Sequence, residues 1–167
     1  MAMVRIIPNQ SGMDFIADNA FHIEESGLYK NAGNGIRSVE FVRVKEDRLL
    51  FVEAKTTFPN SDNPSEENKA RFQEEIAEVC EKFIHSLNLL SSVEIGVVEG
   101  DYSDGFDIPE NVLLVFMLVV KNHEFKWCKP IKGKLEAELP YYLKKIWKPT
   151  VYVINQSTAL KQGLITS

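Results

Sequence analysis

The sequence predicts a mixed α/β domain: a three-stranded antiparallel meander, one long helix packed on it, and a buried central strand. Three observations carry this. Residues 20 to 56 hold three runs rich in β-branched and aromatic residues, separated by turn-forming segments. From Phe72 to Leu90 apolar residues recur at three- and four-residue spacing, the period of a helix with one buried face. Val112 to Val120 is apolar at every position, as a strand covered on both faces requires.

Taken in order, the strands run Phe21 to Tyr29, Ile36 to Val44 and Leu49 to Thr56. Their reversals fall at Asn31-Ala32-Gly33-Asn34-Gly35 and at Glu46-Asp47. Asn63-Pro64-Ser65-Glu66 predicts the helix start, with Asn63 as cap, Pro64 as first helical residue and Glu66 completing a capping box. Phe72, Ile76, Val79, Cys80, Phe83, Leu87 and Leu90 form the core stripe. Glu74, Glu75, Glu78, Glu81, Lys82 and His85 take the polar remainder. Val93 to Val98 predicts a further short strand, followed by the acidic loop Gly100 to Asn111. Pro140 to Trp147 reads as a short helix with proline in its first turn, Thr150 to Gln156 as a strand, and Leu160 to Ile165 as a closing helical turn.

A chain of 167 residues, 44% apolar and 26% charged, fits one domain over residues 1–167, and such a chain buries about two-thirds of its unfolded surface. Met1 to Pro8 lacks the layout of a signal peptide, and the longest apolar run is less than half the roughly 20 residues of a membrane helix. The expectation is a cytoplasmic protein without a membrane partner, with Cys80 and Cys128 reduced and Cys80 in the core. The net charge of -5 by itself argues against a nucleic-acid binder. Its distribution is uneven, however. Between Lys121 and Lys148 eight lysines face three glutamates, so this lysine-rich C-terminal extension carries +5 and the remainder -10.

The hairpin arithmetic locates a charged cluster. With Glu46-Asp47 as the turn, Lys45 pairs with Arg48, Val44 with Leu49, Val42 with Phe51 and Glu40 with Glu53. Opposed residues share a face and side chains repeat every second residue, so Glu40, Glu53 and Lys55 converge at one end of an apolar surface. An even loop between Asn31 and Gly35 adds Glu25 to that face; an odd loop or a bulge brings Glu24 there instead. Facing carboxylates require a cation between them. Lys55 supplies one charge, and a hard divalent ion, Mg²⁺ or Mn²⁺, held by Glu40 and Glu53, supplies more. Lys55 would then orient a nucleophilic water or stabilise charge developing on a phosphate.

On these residues the chain resembles a known family. Phe51-Val52-Glu53-Ala54-Lys55 resembles the E-x-K strand of the PD-(D/E)XK nuclease superfamily, with Glu40 thirteen residues upstream in the place of its acid. The order of strands, long helix and buried strand over about residues 20–121 is similar to its restriction-endonuclease-like core. The resemblance implies a magnesium-dependent hydrolase that cleaves DNA or RNA; Glu25 is a third acid on the register argument alone. The superfamily normally carries aspartate where this chain has Glu40. Its core usually begins with an acid-bearing helix, for which Pro8 to Asn19 leaves little room and offers Asp14 or Asp18.

His22, His85 and His123 show no metal-ligand spacing with one another or with the cysteines and read as structural or surface residues. No GxGxxG, P-loop or nucleophile elbow is present. The expected function is therefore a metal-dependent phosphodiesterase, with Lys129, Lys132, Lys144 and Lys145 contacting the nucleic-acid backbone. The alternative is a non-catalytic module of nuclease-like fold that binds a protein or a nucleic acid; the glutamate at position 40 favours this alternative and the placement of Lys55 favours the enzyme.

Overall fold

The computed structural model describes residues 6–7, 9–100, 102 and 105–166. Most of the Met1 to Pro8 stretch, and positions 101, 103 and 104 of the acidic loop, lie outside them. The chain opens with a two-stranded antiparallel hairpin, β1 (Ile6–Ile7) and β2 (Phe15–Ile16). There follow β3 (Ala20–Phe21), a 3₁₀ turn (Ile23–Glu25), α1 (Gly27–Lys30), β4 (Phe41–Lys45), β5 (Arg48–Lys55) and α2 (Glu66–Ile95). The remainder is β6 (Leu113–Val120), α3 (Phe125–Glu138), α4 (Tyr141–Ile146), β7 (Thr150–Asn155) and α5 (Gln156–Lys161).

Strands β3 to β7 form one mixed five-stranded sheet in sequence order, antiparallel from β3 to β5 and parallel from β5 to β7. Parallel neighbours need a crossover, and α2 supplies one between β5 and β6, while α3 and α4 supply the other between β6 and β7. The β4–β5 pairs are Lys45↔Arg48, Val44↔Leu49 and Val42↔Phe51, the register that the hairpin arithmetic requires. One sheet face, with Val42, Leu49, Phe51, Phe116 and Leu118, packs against Ile76, Val79, Cys80 and Phe83 of α2 and Ile131 and Leu135 of α3. Phe83 stacks on Phe116 with ring centroids 4.7 Å apart. The opposite face, with Leu50, Val52, Val115, Met117 and Val119, is covered by the β1–β2 hairpin and by Ala159 of α5. β6 is therefore buried on both sides, as its unbroken apolar run predicts. Cys80 and Cys128 are both buried and unpaired, and among the described residues no helix is long and apolar enough to cross a membrane.

Five local expectations are corrected, among them the strand from Ile36, which begins only at Phe41. The predicted strand Phe21 to Tyr29 ends at Phe21, because Glu24-Glu25-Ser26-Gly27 does not alternate and Ser26 caps α1, its hydroxyl accepting from the Tyr29 amide at 3.3 Å. Three full-length antiparallel strands are thus not formed, and the loop before β4 extends to Glu40. That loop is satisfied by helix side chains rather than by a ladder: the Val39 amide donates to Ser86 Oγ at 2.9 Å and the Arg37 amide to His85 Nδ1 at 3.0 Å.

At the other end, Val93 to Val98 is not a strand. α2 continues to Ile95 and stops at Gly96, which adopts the left-handed conformation (φ 88°) while the Gly96 and Val97 amides bond back to Val93 and Ser92. The α2 cap is Ser65, not Asn63: Ser65 Oγ accepts from the Asn68 amide at 3.1 Å, and Asn63 instead holds the Ser65 amide. Finally, the segment from Asn9 to Asn19 forms a turn and β2 rather than a short helix, leaving Asp14 and Asp18 away from any helical position.

Candidate active site

Where β5 ends and the first half of α2 passes over it, a polar pocket of about 410 Å³ opens. Its charged lining is Glu24, Glu40, Glu53, Lys55, Glu75, Glu78 and Lys82. Five glutamates thus face two lysines. Gln10, Ser11, Thr56 and Thr57 complete the wall with neutral polar groups.

Glu53 is the centre of this arrangement. It occupies a core-facing position of β5 where Leu49 and Phe51 are apolar, and is only 1% exposed. One carboxylate oxygen, Oε2, receives Lys82 Nζ from α2. The other, Oε1, accepts no hydrogen bond among the described residues. Burial pushes the Glu53 carboxyl above its ordinary range, against the pull of Lys82 and Lys55. Burial also opposes the charge on Lys82, but Glu53, Glu78 and Glu40 together more than offset it and hold the ammonium above its ordinary value.

Lys55 lines the same pocket as Glu40 and Glu53 but bonds to other groups. Its Nζ is 2.6 Å from Glu75 and 3.8 Å from Glu78, so its direct partners are helix carboxylates rather than Glu53. Glu78 in turn reaches Lys82 at 3.5 Å and Arg37 at 3.6 Å. The regular β4–β5 ladder ends at Phe41↔Val52, and the Glu40 amide donates to the Val52 carbonyl at 3.0 Å. Glu40 and Glu53 are consequently not a ladder pair, although both line the pocket. Glu40 is pushed up to about 9, first by burial, then by its hydrogen bond with Glu24 and the charges of Glu24 and Glu53, against Lys82.

The third acid is Glu24. Glu25, expected on this face if the preceding loop were even, points to solvent and pairs with Lys30 at 3.2 Å. With a helical turn in place of a strand, the parity argument has no ladder on which to operate. Beside the pocket, His22, Glu24 and Glu40 each offer one ligand atom, all within 4.8 Å of one another; among the described residues this is the one such group of three. This donor set and the unsatisfied Glu53 oxygen fit a divalent cation. Glu24 and Glu40 would be its carboxylate ligands, with Glu53 lining the same pocket.

Sequence reasoning missed Glu75, Glu78 and Lys82, assigning them to the solvent side of α2, and set His22 aside. Glu75, Glu78 and Lys82 stand one residue before Ile76, Val79 and Phe83, so they border the apolar stripe and follow it onto the sheet. That adjacency was the available signal. The four expected phosphate-contacting lysines do not line the pocket. Lys129 and Lys132 are on α3, where Lys132 lies 5.9 Å over the Tyr152 ring. Lys144 and Lys145 are on α4; Lys144 donates to the Glu136 carbonyl at 3.2 Å and Lys145 lies 5.4 Å over the Tyr141 ring. A second groove, of about 420 Å³, borders the far end of α2. Its walls include Leu87, Leu90, Ile95, Ile146 and Trp147, and Glu94 is its one titratable residue.

Comparison with protein-family models, with curated proteins and with solved structures gave no match.

Proposed function

We propose that this chain is a metal-dependent phosphodiesterase of restriction-endonuclease-like fold acting on DNA or RNA. The observation that carries this reading is Glu53, an almost fully buried carboxylate with one oxygen on Lys82 and the other unsatisfied. It shares its pocket with Glu24 and Glu40. Burying a carboxylate in this state costs stability unless something further binds it, and a divalent cation with its waters is what such oxygens accept. When bound, the cation would supply a nucleophilic water and neutralise charge on the phosphoryl group. Lys82 holds Glu53 in place, while Thr56 and Thr57 offer hydroxyls to a phosphate at the pocket wall. The E-x-K spacing of Glu53 and Lys55 at the end of an inner strand agrees with this chemistry.

A second reading, a non-catalytic module of the same fold binding nucleic acid, is favoured by one specific observation. Lys55 is already engaged by Glu75 and Glu78, while α4 presents exposed Tyr141 and Tyr142 beside Lys144 and Lys145. Exposed aromatic rings among lysines suit stacked bases and their phosphates. The purified protein, incubated with single- and double-stranded DNA and RNA and with Mg²⁺ or Mn²⁺, decides between them. Cleavage that Glu53→Gln abolishes is the expected result. Binding without cleavage of any of the four polymers would leave the module.

A further inference from the structure

Resting on the metal reading above, we infer that His22 is a nitrogen ligand of the bound cation, alongside Glu24 and Glu40. The site therefore selects a first-row transition ion over Mg²⁺.

Three features support this. Ligands to one ion at about 2.0–2.2 Å lie at most about 4.4 Å apart. The ligand atoms of His22, Glu24 and Glu40 all lie within 4.8 Å of one another, which is close to that limit.

The His22 ring is also not committed to holding the fold. His22 precedes the 3₁₀ turn without capping it by its side chain, and among the described residues no hydrogen bond engages its ring. The other two histidines contrast with it: His85 accepts the Arg37 amide, and His123 is buried against Phe58 and Trp127.

Independently of this cluster, the buried Glu53 belongs to the lining of the pocket shared by Glu24 and Glu40, and its Oε1 has no hydrogen-bond partner among the described residues. A cation or one of its bound waters would satisfy it. With three carboxylates alone the pocket would suit Mg²⁺, which demands oxygen and keeps its waters. An imidazole shifts the preference toward ions such as Co²⁺ or Zn²⁺.

Co²⁺ and Mg²⁺ are the probes. By calorimetry, Co²⁺ should bind the native protein at least tenfold more tightly than Mg²⁺. His22→Gln, which exchanges the nitrogen for an oxygen ligand, should lose at least tenfold in Co²⁺ affinity while Mg²⁺ affinity changes less than threefold. On the native protein loaded with Mn²⁺, pulsed electron paramagnetic resonance should show ¹⁴N modulation from the ring, a readout that needs no variant. Equal affinities for Co²⁺ and Mg²⁺, unchanged in His22→Gln and without ¹⁴N modulation, would overturn the role of His22 and leave a carboxylate-only metal site. Binding of neither ion would overturn that site as well.

Discussion

Glu53 of β5 and Lys82 of α2 form an ion pair between sheet and helix, with side chains only 2% and 19% exposed. Removing one partner of a buried pair strands the other, at a cost of about 3–5 kcal/mol, whereas replacing both by apolar groups is often neutral. Lys82→Met should therefore unfold at markedly lower urea concentration than the native protein. Glu53→Leu combined with Lys82→Met should recover most of the loss. Because the stranded Glu53 can take up a proton, the cost of Lys82→Met should be larger at pH 8 than at pH 5. A pH-independent cost would mean that Glu53 is not charged beside Lys82.

Glu40 gives the metal-free protein a second pH dependence. Its folded value of about 9 lies above the ordinary 4.5, so the folded state retains a proton that the unfolded chain has lost. The resulting stability is fully present below pH 4.5 and is lost as pH rises toward 9, with a slope of at most about 1.4 kcal/mol per pH unit. Glu40→Gln, a fixed mimic of the protonated form, should flatten that decline and exceed the native protein in stability at pH 8. Urea unfolding in a chelator at pH 5, 7 and 9 reads both effects.

Two adjacent acids should respond differently to a metal. A ligand that binds only the folded state adds RT ln(1 + [L]/Kd), or about 2.7 kcal/mol at a hundredfold excess over Kd. Mn²⁺ at millimolar concentration should raise the melting temperature of the native protein and of Glu25→Gln alike, since Glu25 faces Lys30 and solvent. The rise should vanish in Glu24→Gln. An identical response from both variants would remove Glu24 from the ligand set.

The lysines of α3 and α4 have a separate test. Replacing Lys129, Lys132, Lys144 and Lys145 by glutamine should weaken nucleic-acid binding and lower the slope of log K against log salt by about one per lost phosphate contact. Lys144 is tied to the Glu136 carbonyl, so its individual contribution should be the smallest. A slope unchanged in the fourfold variant would make these lysines ordinary solvated surface.

The register of β4 on β5 was legible because a two-residue turn and period-two alternation leave no freedom, and β6 was legible from its apolar run. The first strand was not. Ser26 and Gly27 offer a helix cap as readily as a strand interruption, and only the Ser86 and His85 side chains, 47 and 48 residues away, decide where the Val39 and Arg37 amides bond. For the same reason the third acid came out as Glu24 instead of Glu25. The partner of Glu53 was hidden for a different cause. Lys55 shares a strand with it and is visible by local spacing, whereas Lys82 reaches it only through the packing of α2 on the sheet.

Glu75, Glu78 and Lys82 sit on one unbroken helix of 30 residues, so they behave as teeth on a single shaft. A slide of α2 by one residue is about 1.5 Å along its axis, enough to part Lys82 from Glu53 and both glutamates from Lys55 in the same stroke. The far end of that shaft, from Leu87 to Ile95, forms a wall of the apolar groove beside Ile146 and Trp147. One helix thus carries both these charged side chains of the pocket and a wall of the apolar groove.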